Sequence, residues 1–466
     1  MPTAGDSHGW LTLAQSLWTS DSALSFQLAV FDAVKLFFAA AFGACIGSLT
    51  NVLVYRIPRG LDFVSPTSRC TSCDTPLTWR ENVPIFGWLL LRGRCRFCRS
   101  PISPEYVMVE TFVALLWAFT FAVLYLDRGN ALGLSFHAIQ PEWARSGFPL
   151  TWPLGVMLVL LFSCLTAMTL VDAKTFTIPP VLTNVPTVLG IVAHVGFAAY
   201  VQSTRGHLPV VAKHWHWSIA TPGPNGWTWV GVAMGGVLGL ILANLMLKFR
   251  LLRRSFEDYA AWEEQAMKSA QPAAAGAPTS DLEGVNPHMW VQYPHARREV
   301  FRELLFLAPA LSLAYLGAFL AAKWAGPSFF DAETNARTFA TAVPLWLDAL
   351  TGSLLGYLIG GGVVWLVRIA GTLGFGKEAL GLGDVHMMAA VGACLGWIDP
   401  VLAFFGAAFL GVAWYVLGRL SKGVASKVMP FGPFLAMGTI LVFFTKPLFE
   451  VLFAHLMRLP SPVSLP

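Results

Sequence analysis

The sequence predicts an all-α polytopic membrane protein with about nine or ten transmembrane helices. Three observations lead there. Hydrophobic residues make up 55% of the 466 positions and charged ones only 12%, far from the balance of a water-soluble globule. Nine apolar runs have the length of a bilayer crossing, about 17–25 residues in a helix; they fall near 30–54, 108–127, 152–171, 181–201, 227–248, 303–323, 347–369, 401–419 and 430–456. Basic residues cluster in a few of the connecting segments, as insertion into a membrane requires. A shorter run, 385–399, would span only with help from its neighbours. The net charge of +5 follows the same clustering, and no nucleic-acid partner is expected.

Residues 1–29 contain no Lys or Arg, so no cleaved signal peptide is expected and the first span, 30–54, acts as its own signal. The segment 55–107 carries Arg56, Arg59, Arg69, Arg80, Arg92, Arg94, Arg96 and Arg99, which places it in the cytoplasm and leaves 1–29 outside. Alternating the spans from there puts the ends of the runs at 171, 248, 369 and 419 inside. Lys174, the Arg250/Arg253/Arg254 cluster, Arg368/Lys377 and Lys422/Lys427 stand beside those ends. The outer connectors near 128–151, 202–226 and 324–346 are poor in basic residues, Arg145 and Lys213 excepted. The chain therefore reads as transmembrane helices at 108–249, a cytoplasmic polar insertion at 250–302, and further transmembrane helices at 303–466.

The cytoplasmic segment holds Cys70-x-x-Cys73 and, roughly 20 residues on, Cys95-x-x-Cys98, close to the paired spacing of structural zinc sites. Four thiolates close a tetrahedron on a loop too short to build much core. This is a small cytoplasmic zinc-binding loop domain, and a metal held by four cysteines keeps no open position for a reacting water. A reducing cytoplasm argues against two disulfides instead. Cys45, Cys164 and Cys394 lie in apolar runs and read as small buried hydrophobes.

Two acids stand at the ends of apolar runs. Asp172 closes LLFSCLTAMTLV and opens Asp172-Ala-Lys-Thr-Phe-Thr-Ile-Pro179-Pro180, where the prolines stop regular helix. Asp384 ends Gly381-Leu-Gly383-Asp384, ahead of VHMMAAVGACLGW, and an acid at a helix start is favoured in its charged form by the helix dipole. The charge map puts both at the cytoplasmic face. Two carboxyls brought together cannot both ionise cheaply, so they share a proton. The charged one can then take a proton from water while the other donates to a scissile carbonyl, which is peptide hydrolysis without a covalent intermediate. No nucleophile elbow, zinc-protease helix, phosphate loop or dinucleotide fingerprint competes.

Several stretches resemble a known family. Gly47-Ser48, Asn51-Val-Leu-Val-Tyr55-Arg56-Ile-Pro58, Glu81-Asn82-Val-Pro84-Ile-Phe-Gly-Trp88-Leu-Leu-Leu-Arg92-Gly93-Arg-Cys95-Arg-Phe-Cys98 and Pro101-Ile-Ser103-Pro104-Glu-Tyr106 are similar to the N-terminal part of prepilin peptidases, the type IV leader peptidases. The Asp172 segment, Gly381–Asp384 and Pro430-Phe-Gly-Pro433 resemble their aspartyl-protease part. The resemblance implies an enzyme of the bacterial inner membrane that cuts the basic leader of type IV prepilins and type II secretion pseudopilins on the cytoplasmic side. It also implies N-methylation of the new N-terminus with S-adenosylmethionine as donor, Asp172 and Asp384 as the protease dyad, and zinc on Cys70, Cys73, Cys95 and Cys98. Membrane lipid and the pilus or secretion assembly machinery are the further partners it suggests. The residues that hold the methyl donor are not legible; Glu81, Glu105 and Glu110 are weak candidates.

The sequence departs from the family pattern in three places. Pro180 stands where the family usually has Asp, and His386 where it often has Lys. The insertion 250–302 begins with RLLRR, continues as a predicted amphipathic helix FEDYAAWEEQAMK, passes through SAQPAAAGAPTS and ends in HARREVFREL. It reads first as a surface-lying linker held by anionic lipid, and second as a docking element for the assembly machinery. Gly360, Gly361 and Gly362 suit close helix packing. His214 and His216, in a predicted external loop, make a weak metal pair at best. The rival readings are a presenilin-like intramembrane protease, which the four-cysteine loop opposes, and a proton-coupled transporter, which lacks the expected midplane acids and repeated halves. A scaffold without activity would have no need of both acids.

Overall fold

The computed structural model describes residues 20–62, 64–65, 67–126, 136, 139–205, 219, 221, 226–259, 261–262, 264–266, 292–325, 328–331, 336–339, 343–420 and 430–458. Eleven labelled helices carry the fold: α1 Ser20–Arg56, α2 Phe86–Leu90, α3 Glu105–Tyr125, α4 Phe148–Thr175, α5 Pro180–Arg205 and α6 Gly226–Lys248, then α7 Ala296–Trp324, α8 Leu345–Phe375, α9 Leu382–Leu395, α10 Ile398–Leu420 and α11 Gly432–Leu456. Nine helices among the described residues are long and apolar enough to cross a membrane, and they coincide with the nine long runs read from the sequence. The tenth run is different. It forms α9, a helix of 14 residues that is not one of the nine. Its Met387, Met388, Ala390, Val391 and Ala393 are buried in protein, because an apolar run of that length suits a packed interior as well as lipid. One antiparallel hairpin, β1 Ser328–Asp331 with β2 Ala336–Phe339, interrupts the helical pattern. His214, His216 and the SAQPAAAGAPTS stretch lie outside the described residues.

The chain divides into two compact units, one running to Val159 and resuming at Phe444, the other Leu160–Phe443. In the first, α1 lies along α3 through its small residues. A Cβ added at Gly47 would sit 2.7 Å from the Glu110 Cα, and one at Gly43 equally close to the Trp117 Cβ. Asn51 Nδ2 donates to the Tyr106 carbonyl at 2.9 Å, fixing the register of the two helices where the cysteine loop leaves and returns. The outward side of α1 bears Phe26, Phe31, Phe37, Phe38 and Phe42, as a lipid-facing helix should. Cys45 is also exposed there, contrary to its reading as a buried hydrophobe, whereas Cys394 is buried.

In the second unit α8 and α9 approach until their backbones touch. A methyl on either Gly356 or Gly392 would overlap the other's carbonyl, and one on Gly360 would overlap the Met388 carbonyl. Ser353 Oγ donates to the Ala393 carbonyl at 2.7 Å across the same seam. On the other side of α9, the Cys394 thiol donates to the Pro186 carbonyl of α5 at 3.1 Å. α9 is thereby held on two sides, which fixes the position of its first turn. Gly392→Leu has no room against backbone and is expected to lower the folded, detergent-extractable yield and the melting temperature sharply. Its cost should exceed the roughly 1–3 kcal/mol of ordinary overpacking. Gly362→Leu, with open space at its Cβ, should leave both unchanged.

Candidate active site and metal centre

Asp172 sits in the last turn of α4 and is 5% exposed. The helix ends just beyond it: Phe176 takes a left-handed conformation, φ 53°, and donates its amide to the Asp172 carbonyl at 2.9 Å. Pro180 then starts α5, where a missing N–H costs nothing. Asp384 stands in the first turn of α9 and is 8% exposed. Gly381 caps that helix in extended conformation, and the Asp384 amide donates to its carbonyl at 3.2 Å.

The two loops meet. A Cβ at Gly383 would lie 2.9 Å from the Ile178 Cβ, so the absent side chain lets the turn after the first acid pack onto the turn before the second. A third segment joins them at Gly432, the first residue of α11. Its amide donates to the Asp172 carboxylate, and a methyl on Gly432 would overlap Asp172 Oδ2. Burial, and then the neighbouring Asp172 charge, push the Asp384 carboxyl up to about 7. The Asp172 charge thus acts on Asp384. His386 is exposed on α9 one position beyond Val385.

One residue read from sequence only as a topology marker belongs to this neighbourhood. Arg368, in α8, is fully buried and its charge acts on Asp384. Its Nε donates to Glu303 at 2.8 Å and its Nη1 to Glu378 at 2.6 Å and to the Leu380 carbonyl. The signal in the sequence was a pair of opposite charges inside or beside apolar runs, Glu303 and Arg368, which are costly in lipid unless paired.

The cysteine loop folds as two copies of one turn. Cys70-Thr-Ser-Cys73-Asp-Thr-Pro76 and Cys95-Arg-Phe-Cys98-Arg-Ser-Pro101 each place a left-handed residue after the second cysteine, Asp74 and Arg99. Equivalent amides close each turn, Cys70 to Thr75 at 3.0 Å and Cys95 to Ser100 at 2.9 Å. All four Sγ atoms lie within 4.8 Å of one another, with Cys70–Cys98 at 3.8 Å and Cys73–Cys95 at 3.9 Å. These separations rule out a sulfur–sulfur bond. They match tetrahedral ligands at a Zn–S bond of about 2.3 Å, which places sulfurs about 3.8 Å apart. The amides of Ser72 and Cys73 hold the Cys70 thiol down to about 6, which favours the thiolate a metal needs.

The loop is tied down beside this cluster. Glu110 accepts the Ile85 amide at 2.6 Å, and Glu81 accepts the Thr78 amide at 2.8 Å and faces Arg96 at 3.7 Å. Trp88 Nε1 reaches the Ile102 carbonyl at 3.2 Å. Glu81 and Glu110 are thus engaged in holding the Glu-Asn-Val-Pro turn, and Glu105 lies in the first turn of α3.

Residues 41–124 match the family model described as the bacterial peptidase A24 N-terminal domain. The chain is 45% identical over 80 residues to a prepilin leader peptidase/N-methyltransferase of Myxococcus xanthus, covering 17% of this chain and 24% of that protein. It is 33% identical over 147 residues to the protein of the same name from Klebsiella pneumoniae, covering 30% and 54%. With that of Pectobacterium carotovorum the identity is 27% over 206 residues, covering 38% and 65%. The chain therefore spans less than two thirds of the length of each of these relatives. No solved structure matches it. The double cysteine turn and the Asn51 and Glu110 ties all fall inside the matched segment: residues 41–124 are similar to the bacterial peptidase A24 N-terminal domain, and parts of the chain are similar to prepilin leader peptidase/N-methyltransferases.

Proposed function

We propose that this chain is an aspartic endopeptidase of the bacterial inner membrane that removes the basic leader of type IV prepilins and type II secretion pseudopilins at the cytoplasmic face. It would also N-methylate the new N-terminus with S-adenosylmethionine. The observation that carries this reading is the meeting of three distant segments at one buried spot: Asp172, the Gly381–Asp384 turn and Gly432. The names of the relatives supply the substrate class.

The chemistry follows from the shared proton. Asp172, its carboxylate held by the Gly432 amide, is the member suited to stay charged and take a proton from water. Asp384, kept protonated by burial and by its neighbour, donates to the carbonyl oxygen of the scissile peptide. The water oxygen bonds to the carbonyl carbon. The tetrahedral diol then collapses with breakage of the C–N bond, Asp172 giving its proton to the leaving amine and Asp384 taking one back from a hydroxyl of the diol, so the pair returns to its starting state. No bond forms between enzyme and substrate.

Cys70, Cys73, Cys95 and Cys98 would hold a structural zinc, which when bound cross-links the two turns of a loop with little core. Purified protein is expected to carry one zinc per chain by elemental analysis. Cys73→Ser and Cys98→Ser should each reduce that to a small fraction and make residues 67–101 sensitive to protease, while α4 to α11 stay resistant.

The reading is tested by mixing the purified protein with a prepilin and a radiolabelled methyl donor. Release of the leader, followed by label on the shortened product, is the expected result. A prepilin left intact under conditions in which the protein is folded and metal-loaded would remove the proposal.

A further inference from the structure

The described ends of the polar insertion reach the connection that leads to the second acid. Its first end, Ser255 to Trp262, and its last, from Gln292 into α7, pack together around Phe256, Tyr293 and Ala296, with Tyr259 and Trp262 against them. Phe256 and Tyr293 rings lie 6.2 Å apart, Trp262 and Tyr293 5.0 Å, and Tyr293 Oη donates to Asp258 at 2.9 Å. The Phe256 amide donates to the buried Glu299 carboxylate at 2.9 Å, which locks the first end onto α7. Phe256, Tyr293 and Ala296 are buried in this cluster, while Glu257, Asp258, Glu264 and Gln265 stay exposed.

This small cluster touches the connection 376–381, which joins α8 to the turn holding Asp384, at both ends. At the start, the Tyr293 amide donates to the Gly376 carbonyl at 2.7 Å, and Gln292 fills the space that a side chain on Gly376, φ 67°, would need. At the finish, Arg368 binds the Leu380 carbonyl and Glu378. The Phe256 ring lies under its guanidinium at 5.0 Å. Glu303, the other partner of Arg368, is itself held by Ser255 Oγ and Trp365 Nε1, each at 3.1 Å.

We propose that the ends of the insertion are a positioning clamp for the second acid. Tyr293 holds Gly376 directly, and Phe256 with Ser255 holds Leu380 through Arg368 and Glu303, so that Asp384 is presented to Asp172 in one geometry. Phe256, Arg368 and Glu303 are positioning residues, since the residues they fix, and not they themselves, face the substrate. The proposal rests on Asp384 being a catalytic acid, and its test keeps the two ideas apart.

Hydrogen–deuterium exchange is measured on the full-length protein over 376–384, alongside prepilin cleavage, for wild type, Phe256→Ala, Phe256→Tyr and Glu303→Gln. Phe256→Ala and Glu303→Gln are expected to speed exchange of these amides about tenfold and to lower kcat about tenfold with KM within about twofold, since misplacement affects the reacting geometry more than binding. Phe256→Tyr, which keeps a ring under Arg368, should restore both. Glu303→Gln keeps the shape of the site and carries the test if Phe256→Ala fails to reach the membrane. Unchanged exchange in the variants, or faster exchange with wild-type kcat, would overturn the clamp. A wild-type protein that cuts no prepilin would instead remove the peptidase reading, and the exchange rates would still decide whether the clamp exists.

Discussion

Asp172→Asn and Asp384→Asn should each abolish leader cleavage, lowering kcat at least about 10³-fold, near the upper range for loss of a general acid or base. Both amides are nearly isosteric with the acids, so membrane level and metal content should stay at wild-type values. Their effects should not add, because a pair that shares one proton fails when either member is lost. The double variant is therefore expected to be no slower than the worse single one. The pH dependence follows from the same sharing. Activity needs one proton in the pair, so it should rise as the first carboxyl ionises at acid pH. It should then fall as pH passes about 7, where Asp384 loses its proton. A rate that kept climbing well above neutrality would contradict the assignment of Asp384 as the protonated member.

Gly432→Ala should be nearly as damaging, although it removes no charge. Its methyl would overlap Asp172 Oδ2, so either the acid must rotate away or α11 must shift at its first residue. Either movement breaks the bond from the Gly432 amide to the carboxylate. Displacement of a reacting group by about 1 Å costs about 10²-fold in rate, and that loss is expected in kcat with the variant folded. Gly374→Ala, at a glycine with open space around it, is the matched control and should cleave as wild type does. Equal activity of both variants would mean that Gly432 does not touch the acid.

How much of this was legible in the sequence depended on whether the cause was local. The nine long helices were, because bilayer length is written directly in a run such as 152–171. The cysteine set is legible too, through its paired spacing, and the two turns also repeat in sequence, CTSCDTP against CRFCRSP. The run 385–399 is ambiguous because apolar composition does not distinguish lipid from a protein interior; in the fold it forms the short helix α9, packed on α8 at the seam of Gly356 and Gly392. The strand pair Ser328–Asp331 and Ala336–Phe339 falls in a connector with no turn signal strong enough to announce it.

Long-range partners were the harder part. Arg368 looked like one more inside-facing basic residue, and only packing reveals that it joins Glu303, Glu378 and Leu380. Pro430-Phe-Gly-Pro433 carries no local chemical signal beyond its resemblance, because its physical role lies in one amide and one missing side chain at Asp172. The insertion ends looked amphipathic, which fits a membrane surface as well as an aromatic cluster closing on Tyr293.

Infrared difference spectroscopy of the purified protein through a neutral pH titration addresses the shared proton directly. A protonated-carboxyl band is expected in the wild type near neutral pH, shifted by Asp172→Asn and lost in Asp384→Asn. A wild type with no such band, or a band indifferent to both substitutions, would contradict the convergence of the two acids.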